Sequence, residues 1–347
     1  MELKTKTERL DAGKREDIIR AAEILRCGGT VAFPTETVYG LGANALSSEA
    51  VAKIFEAKQR PNWDPLIVHI CDREMLGQVV AGKLSRVVET LSQKFWPGPL
   101  TLLLPRTTAI PDAVTAGRPL VGVRIPAHPV ALELIRLAGV PIAAPSANRF
   151  GHTSPTTAEH VLADLDGRID AVLDGGPTVV GVESTVAEVA DGRIMIYRPG
   201  GTTVEMLETV IGEDRVRVYE VPQLRAEPES LPSPGVGIRH YAPRAEMSLC
   251  QIRVPFPKAS ENLGRWIRIL SERGETLGVM LPDGWDAADA QLIYGWGSWD
   301  DQSQLARRLY AGLRELDDRG ASIIVAPLPG ISGMGFAIQD RLMKAAK

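Results

Sequence analysis

The sequence predicts an α/β protein in which a domain built on a twisted, mixed sheet is followed by a smaller α/β domain. Short apolar runs typical of strands alternate with segments whose apolar residues recur at helical spacing. Prolines bracket several of these strands closely, which favours a partly antiparallel sheet over regular βαβ winding. The length of 347 residues exceeds the size at which one hydrophobic core keeps growing, so two domains are expected.

The first predicted elements are a helix that leads into a strand, and then a second helix. Apolar residues recur at helical spacing from Asp17 to Arg26, and the glycine pair that follows predicts the end of that helix. The run from Thr30 to Phe33 has the composition of a strand. A second helix is expected from Ser48 to Lys58, with Ser47 or Ser48 as its N-cap, so Lys58 and Arg60 lie at a helix end.

Further strands and a proline-rich spacer complete the chain. The spacer runs from Val221 to Pro243, after one more helix beyond Gly201, and we place the domain boundary in it. The strands before it are Leu66 to Ile70, Leu100 to Leu104, Leu120 to Ile125 and Val140 to Ala144. Beyond it, strands are predicted at Leu277 to Leu281, Gln291 to Tyr294 and Ile323 to Ala326, and helices at Gln304 to Leu316 and Ala337 to Lys344.

Composition favours an ordinary globular protein of the cytoplasm. Hydrophobic residues make up 44% and charged residues 24% of the sequence. The stretch from Met1 to Arg20 has no apolar core of the kind that a signal peptide needs, and the three cysteines have neither disulfide nor zinc spacing. No window approaches the run of about 20 apolar residues that crosses a bilayer. The net charge of −4 argues against non-specific binding of nucleic acid.

The segment from Phe33 to Gly42 places two hydroxyls, a carboxylate and a phenol directly after a strand. Its glycines allow the backbone to approach a ligand closely. The same residues also fit a tight strand-to-helix turn in which threonine and glutamate cap the helix. The segment alone leaves both interpretations open.

Cationic and ionisable side chains occur at the ends of several predicted elements. Lys58 and Arg60 serve either a ligand or the helix dipole, and we expect them near a solvent-facing helix end. His69 ends an apolar run, where a strand delivers a polar side chain to a site, although a buried structural histidine is the alternative. Arg124 lies inside the run from Val121 to Pro126, where an unpaired charge is expensive to bury, so it must face a carboxylate or an anionic ligand.

Donor groups beside small residues recur farther along the chain. Ser146 and Asn148 follow an apolar strand that ends in small residues, and their side chains suit phosphate and ribose oxygens. Hydroxyls also follow Gly181, and Arg198 precedes a glycine pair. An acidic chain that repeatedly sets lysine or arginine beside Gly, Ser and Thr predicts a polyphosphate site, so we infer that it binds a nucleoside triphosphate.

Together these motifs resemble the threonylcarbamoyl-AMP synthase family, the YrdC-type enzymes. The matching pieces, in the family's order, are PTETVYGLG, the Lys58-x-Arg60 pair, PLIVHI, VGVRIPAHP, PSAN and GVESTV, and they cover roughly residues 15 to 205. The end of the spacer and the extra domain resemble the family's long, two-domain branch. The resemblance implies a YrdC-like catalytic domain over residues 1–205, a linker or lid over 206–243 and a small, Rossmann-like α/β domain over 244–347.

The family joins L-threonine, bicarbonate and ATP into threonylcarbamoyl adenylate and pyrophosphate, for later modification of adenosine beside the tRNA anticodon. The resemblance implies Mg²⁺ as Mg-ATP, with water and phosphates as most of its ligands, and later enzymes of this tRNA pathway as partners; it leaves direct tRNA binding open. Lys58 and Arg60 would act on the phosphates. The implied threonine-binding residues are Thr37, His69, Arg124, Ala144 and Ser184, and the ATP-binding residues are Arg60, Asp64, Leu120, Ser146, Asn148, Ser154, Arg198 and His240.

The chain departs from the family at two positions. Leu120 stands where the family often has threonine, and Ile238 stands where the linker often carries an aromatic residue. Because every recognisable ligand motif precedes Gly201, we expect the spacer to act as a lid that brings the residues from Arg239 to Tyr241 to the nucleotide, with the C-terminal domain as its anchor.

Two other functional classes compete with this interpretation. An RNA-binding module would need a basic surface with stacking aromatics, which the net acidity and the aromatic fraction of 5% disfavour. A dinucleotide-dependent oxidoreductase is suggested by the glycines from Gly330 to Gly335, but their spacing differs from the dinucleotide-binding fingerprint.

Overall fold

A computed structural model of the chain describes residues 6–220, 230–236, 240–252, 254–255, 257–287 and 289–347. The chain forms two compact units. The predicted spacer is only partly included, since residues 221–229 and 237–239, with Ile238 and Arg239, lie outside the described residues; the lid therefore stays a prediction. The first unit comprises Met1–Phe150, Ser154–Val179 and Glu183–Gly237, and the second comprises Gly151–Thr153, Val180–Val182 and Ile238–Lys347.

The first unit is built on a large mixed sheet. Its strands are β1 (Glu8–Asp11), β2 (Val31–Phe33), β3 (Gly40–Asn44), β4 (Ile67–His69), β5 (Leu100–Pro105), β6 (Leu120–Arg124), β7 (Ile142–Ala143), β8 (Ala171–Asp174), β9 (Thr185–Ala190), β10 (Arg193–Arg198) and β11 (Val216–Val218). Within the described part of the chain they form an 11-stranded sheet in the order β1-β8-β2-β3-β7-β4-β6-β5-β9-β10-β11. The sheet contains parallel pairs such as β4 with β6 and antiparallel pairs such as β5 with β6, which confirms the predicted mixed sheet.

Helices cover this sheet and join its strands. They are α1 (Arg15–Arg26), α2 (Ser48–Lys58), α3 (Arg73–Val79), α4 (Arg86–Phe95), α5 (Asp112–Thr115), α6 (Pro129–Ala138), α7 (Ala158–Leu165) and α8 (Val204–Ile211). Helix α2 begins as predicted, because Ser47 caps it by accepting a hydrogen bond from the backbone N–H of Ala50. It ends at Lys58, and the C-cap residue Gln59, with a positive φ of 54°, leads the chain out of the helix to Arg60.

The two faces of the sheet carry different side chains. Residues that alternate along a strand point to opposite faces, so Val68 and Val123 enter the main apolar core of this unit. On the same two strands, Ile67 and Leu120 have the opposite phase and belong to a small separate cluster with Leu103, Val186 and Tyr197. His69 and Arg124 share the strand phase of that second cluster. The face opposite the main core is therefore the one that presents polar side chains.

The second unit has a smaller, parallel sheet. Its strands are β12 (Glu246–Gln251), β13 (Leu277–Pro282), β14 (Leu292–Gly297) and β15 (Ile323–Leu328), and its helices are α9 (Lys258–Ser271), α10 (Gln302–Asp318) and α11 (Met334–Ala345). Among the residues described here the four strands run in the order β12-β15-β13-β14, all parallel. This is the predicted small α/β fold. Gly330 and Gly333 lie between β15 and α11, and Gly335 lies in the first turn of α11, although the spacing of these glycines still differs from a dinucleotide-binding loop.

Several secondary-structure elements were not predicted from the sequence. The segment after Phe33 leads into β3 rather than into a helix, so the alternative of a helix-capping turn is wrong. Strand β3 has the sequence GLGAN, which has little intrinsic β preference and forms because β2 and β7 pair with it on both sides. Strand β12 and helix α9 were also missed. Within the described ranges, no helix is both long enough and apolar enough to span a bilayer.

Candidate functional site

Polar side chains of the first unit lie around the ends of two neighbouring strands. His69 ends β4 and Arg124 ends β6, and the parallel register of these strands sets the two residues directly beside each other. On its other side His69 is in register with Ile142 of β7. Adjacent parallel strands end at the same edge of a sheet, which is where such sheets collect functional side chains. His69 and Arg124 are both buried.

Arg124 is held by three groups within this buried region. Its Nη1 donates to the hydroxyl of Thr37 at 3.0 Å, and its Nε donates to the carbonyl of Gly98 at 3.1 Å. Its Nη2 forms an ion pair with Oε1 of Glu36 at 2.7 Å. Burial acts to raise the pKa of Glu36, but the charge of Arg124, its side-chain hydrogen bond and backbone hydrogen bonds together lower that pKa below its ordinary value. Glu36 is thus an internal carboxylate partner of the kind predicted for Arg124.

Thr37 and His69 complete this group, which we call the Arg124 cluster (Glu36, Thr37, His69 and Arg124). The hydroxyl of Thr37 also lies 2.8 Å from that of Thr35, which accepts from the backbone N–H of Thr37 at 3.2 Å and so fixes the loop after β2. Burial, assisted by the nearby Arg124, lowers the pKa of His69 to about 3, so its imidazole is neutral at pH 7. His69 is therefore a polar neutral group rather than a cation.

Ser184 and Arg198 form the neighbouring part of the site. The hydroxyl of Ser184 lies 2.8 Å from that of Thr101. Arg198, the last residue of β10, donates from Nε to the carbonyl of Ser184 at 3.1 Å and from Nη2 to its hydroxyl at 3.2 Å. The charge of Arg198 acts on both His69 and Asp64. Arg198 therefore links the predicted threonine residues to the predicted ATP residues.

Lys58 is buried, with an exposed fraction of 1%, and this corrects the expectation of a solvent-facing helix end. The helix end was predicted correctly, but β7 and the chain that follows it lie over that end. Nζ of Lys58 donates to the carbonyl of Ser146 at 2.6 Å and to the carbonyl of Asn148. Burial, with the charge of Arg60, holds the pKa of Lys58 well below its ordinary value.

Arg60 and Asp64 form a second buried ion pair, and with Lys58 they make up what we call the Lys58 cluster. The Nη2 of Arg60 lies 2.9 Å from Oδ2 of Asp64, and both side chains are almost fully buried. Nη2 and Nε also donate to the carbonyls of Pro65 and Asp64. Burial raises the pKa of Asp64 above its ordinary value, and the charge of Arg60 limits that rise. Arg60, like Lys58, is not solvent-facing.

The remaining predicted residues of this unit are placed by the chain around these clusters. Ala144 donates its backbone N–H to the carbonyl of Ile67 at 2.8 Å, beside β4. Ser146 pairs with Gly40 in an isolated antiparallel bridge and is half-buried. Asn148 is fully buried and donates from its side-chain amide to the carbonyl of Arg149 at 2.8 Å.

Ser154 and Leu120 have surroundings that the sequence analysis did not anticipate. The hydroxyl of Ser154 donates to the carboxylate of Glu183, and both residues are buried. Leu120 packs with Tyr197 in the small apolar cluster, so it contributes a methyl surface where a hydroxyl was the family's expectation. His240 belongs to the second unit, where its backbone N–H donates to the carbonyl of Lys344 at 3.3 Å.

Glu36, Thr101 and Glu183 were not predicted as site residues, although each contacts one that was. Glu36 stands in the quoted PTETVYGLG motif, and the demand of Arg124 for a partner was a signal that pointed to an acidic residue. Glu183 stands in GVESTV beside Ser184. Thr101 carries no sequence signal, because a threonine inside an apolar strand is ordinary.

The whole chain resembles known proteins. A family model described as telomere recombination, covering Sua5, YciO and YrdC, matches residues 23–200, and a model described as threonylcarbamoyl-AMP synthase, C-terminal domain, matches residues 202–347. The threonylcarbamoyl-AMP synthase of Pyrococcus abyssi is 43% identical over 94% of this chain and 93% of its own length. The enzyme of that name from Bacillus subtilis is 44% identical over 95% of this chain and 92% of its own length.

A solved structure shares the fold. The crystal structure of P. abyssi Sua5 complexed with L-threonine superimposes with a TM-score of 0.89 at 40% sequence identity, over 99% of this chain and 98% of that one. The similarity thus includes both α/β units.

Proposed function

The chain belongs to the threonylcarbamoyl-AMP synthase family and is a nucleotidyltransferase, and from that premise we propose that it converts L-threonine, bicarbonate and ATP into threonylcarbamoyl adenylate and pyrophosphate. The observation that carries the proposal is the Arg124 cluster, where a guanidinium, a threonine hydroxyl and a neutral imidazole share one buried site. An amino acid offers a carboxylate to such a guanidinium. The binding of L-threonine by the P. abyssi relative supports the same substrate.

The proposed reaction needs no covalent intermediate with the enzyme. The neutral amine of threonine attacks the carbon of bicarbonate, and loss of water leaves an N-carboxylate, the carbamate. An oxygen of that carbamate then attacks the α-phosphorus of ATP in line with the leaving pyrophosphate, so one P–O bond forms as another breaks. Catalysis then rests on holding three substrates in line and on neutralising charge on the phosphates.

Each cluster has a distinct part in this proposal. Arg124 would bind the carboxylate of the substrate threonine. The side chain of that threonine would be surrounded by the hydroxyl of Thr37 and by His69, Ala144 and Ser184. Lys58 and Arg60 would act on the phosphates, with Arg198 between the two clusters. Arrival of a polyanion would favour the charged form of Lys58, whose surroundings now disfavour it. The other ATP residues would be Asp64, Leu120, Ser146, Asn148, Ser154 and His240.

Mg²⁺ enters the proposal as the complex of ATP. Asp64 already pairs with Arg60, so its carboxylate is engaged, and the described residues hold no group of three or more His, Cys, Asp or Glu side chains arranged for a metal ion. The β- and γ-phosphates and water would therefore supply most ligands.

We also propose the setting of the reaction. The product would pass its threonylcarbamoyl group to adenosine beside the tRNA anticodon through later enzymes, in the cytoplasm. The oxidoreductase alternative is set aside, because the family to which the chain belongs transfers a nucleotidyl group.

Pyrophosphate release measured with different amino acids tests the proposal. Release should depend on both threonine and bicarbonate, and mass spectrometry of the products should find threonylcarbamoyl adenylate. Serine and alanine should support less release, because they lack the methyl or the hydroxyl that the site would contact. Equal release with serine, alanine and threonine would remove the claim of specificity, and release without bicarbonate would remove the proposed reaction.

A further inference from the structure

Two short segments of the second unit come from the part of the sequence that otherwise builds the first. Gly151–Thr153 and Val180–Val182 belong to the second unit together with Ile238–Lys347, and we call them the two anchored segments. The first is followed directly by Ser154. The second is followed directly by Glu183 and Ser184. The chain therefore leaves the second unit immediately before residues that the proposed function uses.

Arg314 of helix α10 holds the first anchored segment. Its Nη2 donates to the backbone carbonyl of Thr153, a residue with an exposed fraction of 4%. The segment is also paired with the chain beyond His240, because Ala242 donates its N–H to the carbonyl of Gly151 at 2.8 Å. A hydrogen bond from a charged donor is stronger than one between neutral groups, so Arg314 restrains the backbone at Thr153.

Gly181 fixes the second anchored segment by close approach to the same helix. A Cβ atom at Gly181 would lie 2.3 Å from Cα of Arg307 and 2.5 Å from the carbonyl oxygen of Ala306. Its φ of +82° is also a conformation that favours glycine. The next residue, Val182, is fully buried. The backbone therefore lies against helix α10 at a distance that no other residue type allows.

The residues that follow the two segments meet within the first unit. Ser154 donates its hydroxyl to the carboxylate of Glu183, and Ser184 accepts from Arg198 through both its carbonyl and its hydroxyl. Each residue of a chain has only two soft backbone dihedrals. Fixing Thr153 and Val182 therefore restricts where Ser154, Glu183 and Ser184 can lie.

We propose that Arg314 and Gly181 are positioning residues through which the C-terminal α/β unit sets the placement of Ser154, Glu183 and Ser184. This inference rests on the proposed function, in which Ser154 binds ATP and Ser184 binds threonine. It gives the C-terminal unit a part in substrate binding without a catalytic group of its own.

The test compares two arginines of helix α10 in the full-length protein. Arg314→Ala removes the donor to Thr153, whereas the control Arg308→Ala removes a guanidinium that donates to the carbonyl of Gly295, outside the anchored segments. Arg314→Ala should raise the KM for ATP and for threonine about 10- to 100-fold with a small change in kcat, while Arg308→Ala leaves both KM values near wild type. Arg314→Lys should recover part of the loss, because an ammonium also donates to a carbonyl.

Hydrogen exchange supplies a readout that does not depend on turnover. Arg314→Ala should speed amide exchange in peptides spanning residues 154–158 and 183–186, and Arg308→Ala should not. Gly181→Ala should do the same, whereas Gly192→Ala, which has a positive φ of +71° but no atom within 4 Å of its Cβ position, should not. If the wild-type protein forms no threonylcarbamoyl adenylate, the proposed function is overturned. Hydrogen exchange alone then decides this inference. Equal KM values and equal exchange in the two arginine variants would overturn the inference while the function stands.

Discussion

Arg124 and Lys58 are the buried basic side chains at the centres of the two clusters, yet their charges are balanced in different ways. Arg124 has a carboxylate partner, Glu36, and a hydroxyl partner, Thr37. Lys58 donates to two backbone carbonyls, which carry no charge. Removal of one partner of a buried ion pair leaves the other charge uncompensated, whereas a buried basic group with neutral partners is poised to gain from an arriving anion.

Substitution of Arg124 should therefore lower the free energy of unfolding as well as impair the proposed threonine binding, whereas substitution of Lys58 should change turnover far more than folding. Four measurements test this difference.

The largest effect is expected for Arg124→Met. Removal of one partner leaves the Glu36 carboxylate buried without its guanidinium, so the free energy of unfolding should fall by about 3–5 kcal/mol. Urea denaturation measures the loss. The double variant Arg124→Met with Glu36→Gln should recover part of it. Arg136→Met breaks the exposed pair with Glu133 and serves as the control, with a loss of about 1 kcal/mol or less. If the loss of unfolding free energy in the double variant equals the sum of the losses in Arg124→Met and Glu36→Gln, the two side chains are not coupled.

Lys58→Met should reduce product formation about 100- to 1,000-fold, equivalent to about 3–4 kcal/mol in the transition state. The free energy of unfolding should change by less than about 2 kcal/mol, because the methylene stem is retained and a costly buried amine is removed. Lys53→Met is the matched control, since Lys53 lies on the same helix and also donates to a carbonyl, that of Gly28. Near-normal turnover in Lys58→Met would leave this lysine a structural group.

The pH dependence of stability tests the neutral His69. Its pKa is depressed from 6.5 to about 3 in the folded protein, so below pH 6.5 the unfolded chain binds a proton that the folded protein does not. The contribution of His69 to the free energy of unfolding is fully present above pH 6.5. It is lost as pH falls from 6.5 toward 3, with a slope of up to about 1.4 kcal/mol per pH unit. His69→Gln should flatten the profile of unfolding free energy between pH 6.5 and about 4.5. An unchanged slope would show that His69 is not held neutral.

The smallest effect is expected for Leu120→Thr. The substitution removes apolar contact in the small cluster and introduces a hydroxyl at a proposed ATP-binding position. The KM for ATP should fall by about threefold or less, equivalent to less than about 1 kcal/mol, because a single neutral hydrogen bond contributes little net free energy. A rise in this KM would show that the packing of Leu120 matters more than the hydroxyl.

The strongly periodic parts of the fold could be predicted from the sequence. Helix α2, its Ser47 cap and its end at Lys58 follow from apolar spacing and a capping hydroxyl. Strands β5 and β6 follow from apolar runs of the expected length. By contrast, β3 and the two-residue β7 carry weak local signals and depend on pairing with their neighbours.

For the candidate site, residue patterns are enough to predict that Arg124 needs a partner, that His69 ends a strand and that Lys58 ends a helix, because these follow from local spacing and from the cost of burying charge. The folded structure is needed to show that Glu36 is the partner, that Lys58 and Arg60 are buried, and that residues 151–153 and 180–182 belong to the second unit. These facts depend on pairings between residues far apart in sequence. Burial and charge pairing depend on which parts of the chain pack over a residue. A local sequence pattern does not specify that packing.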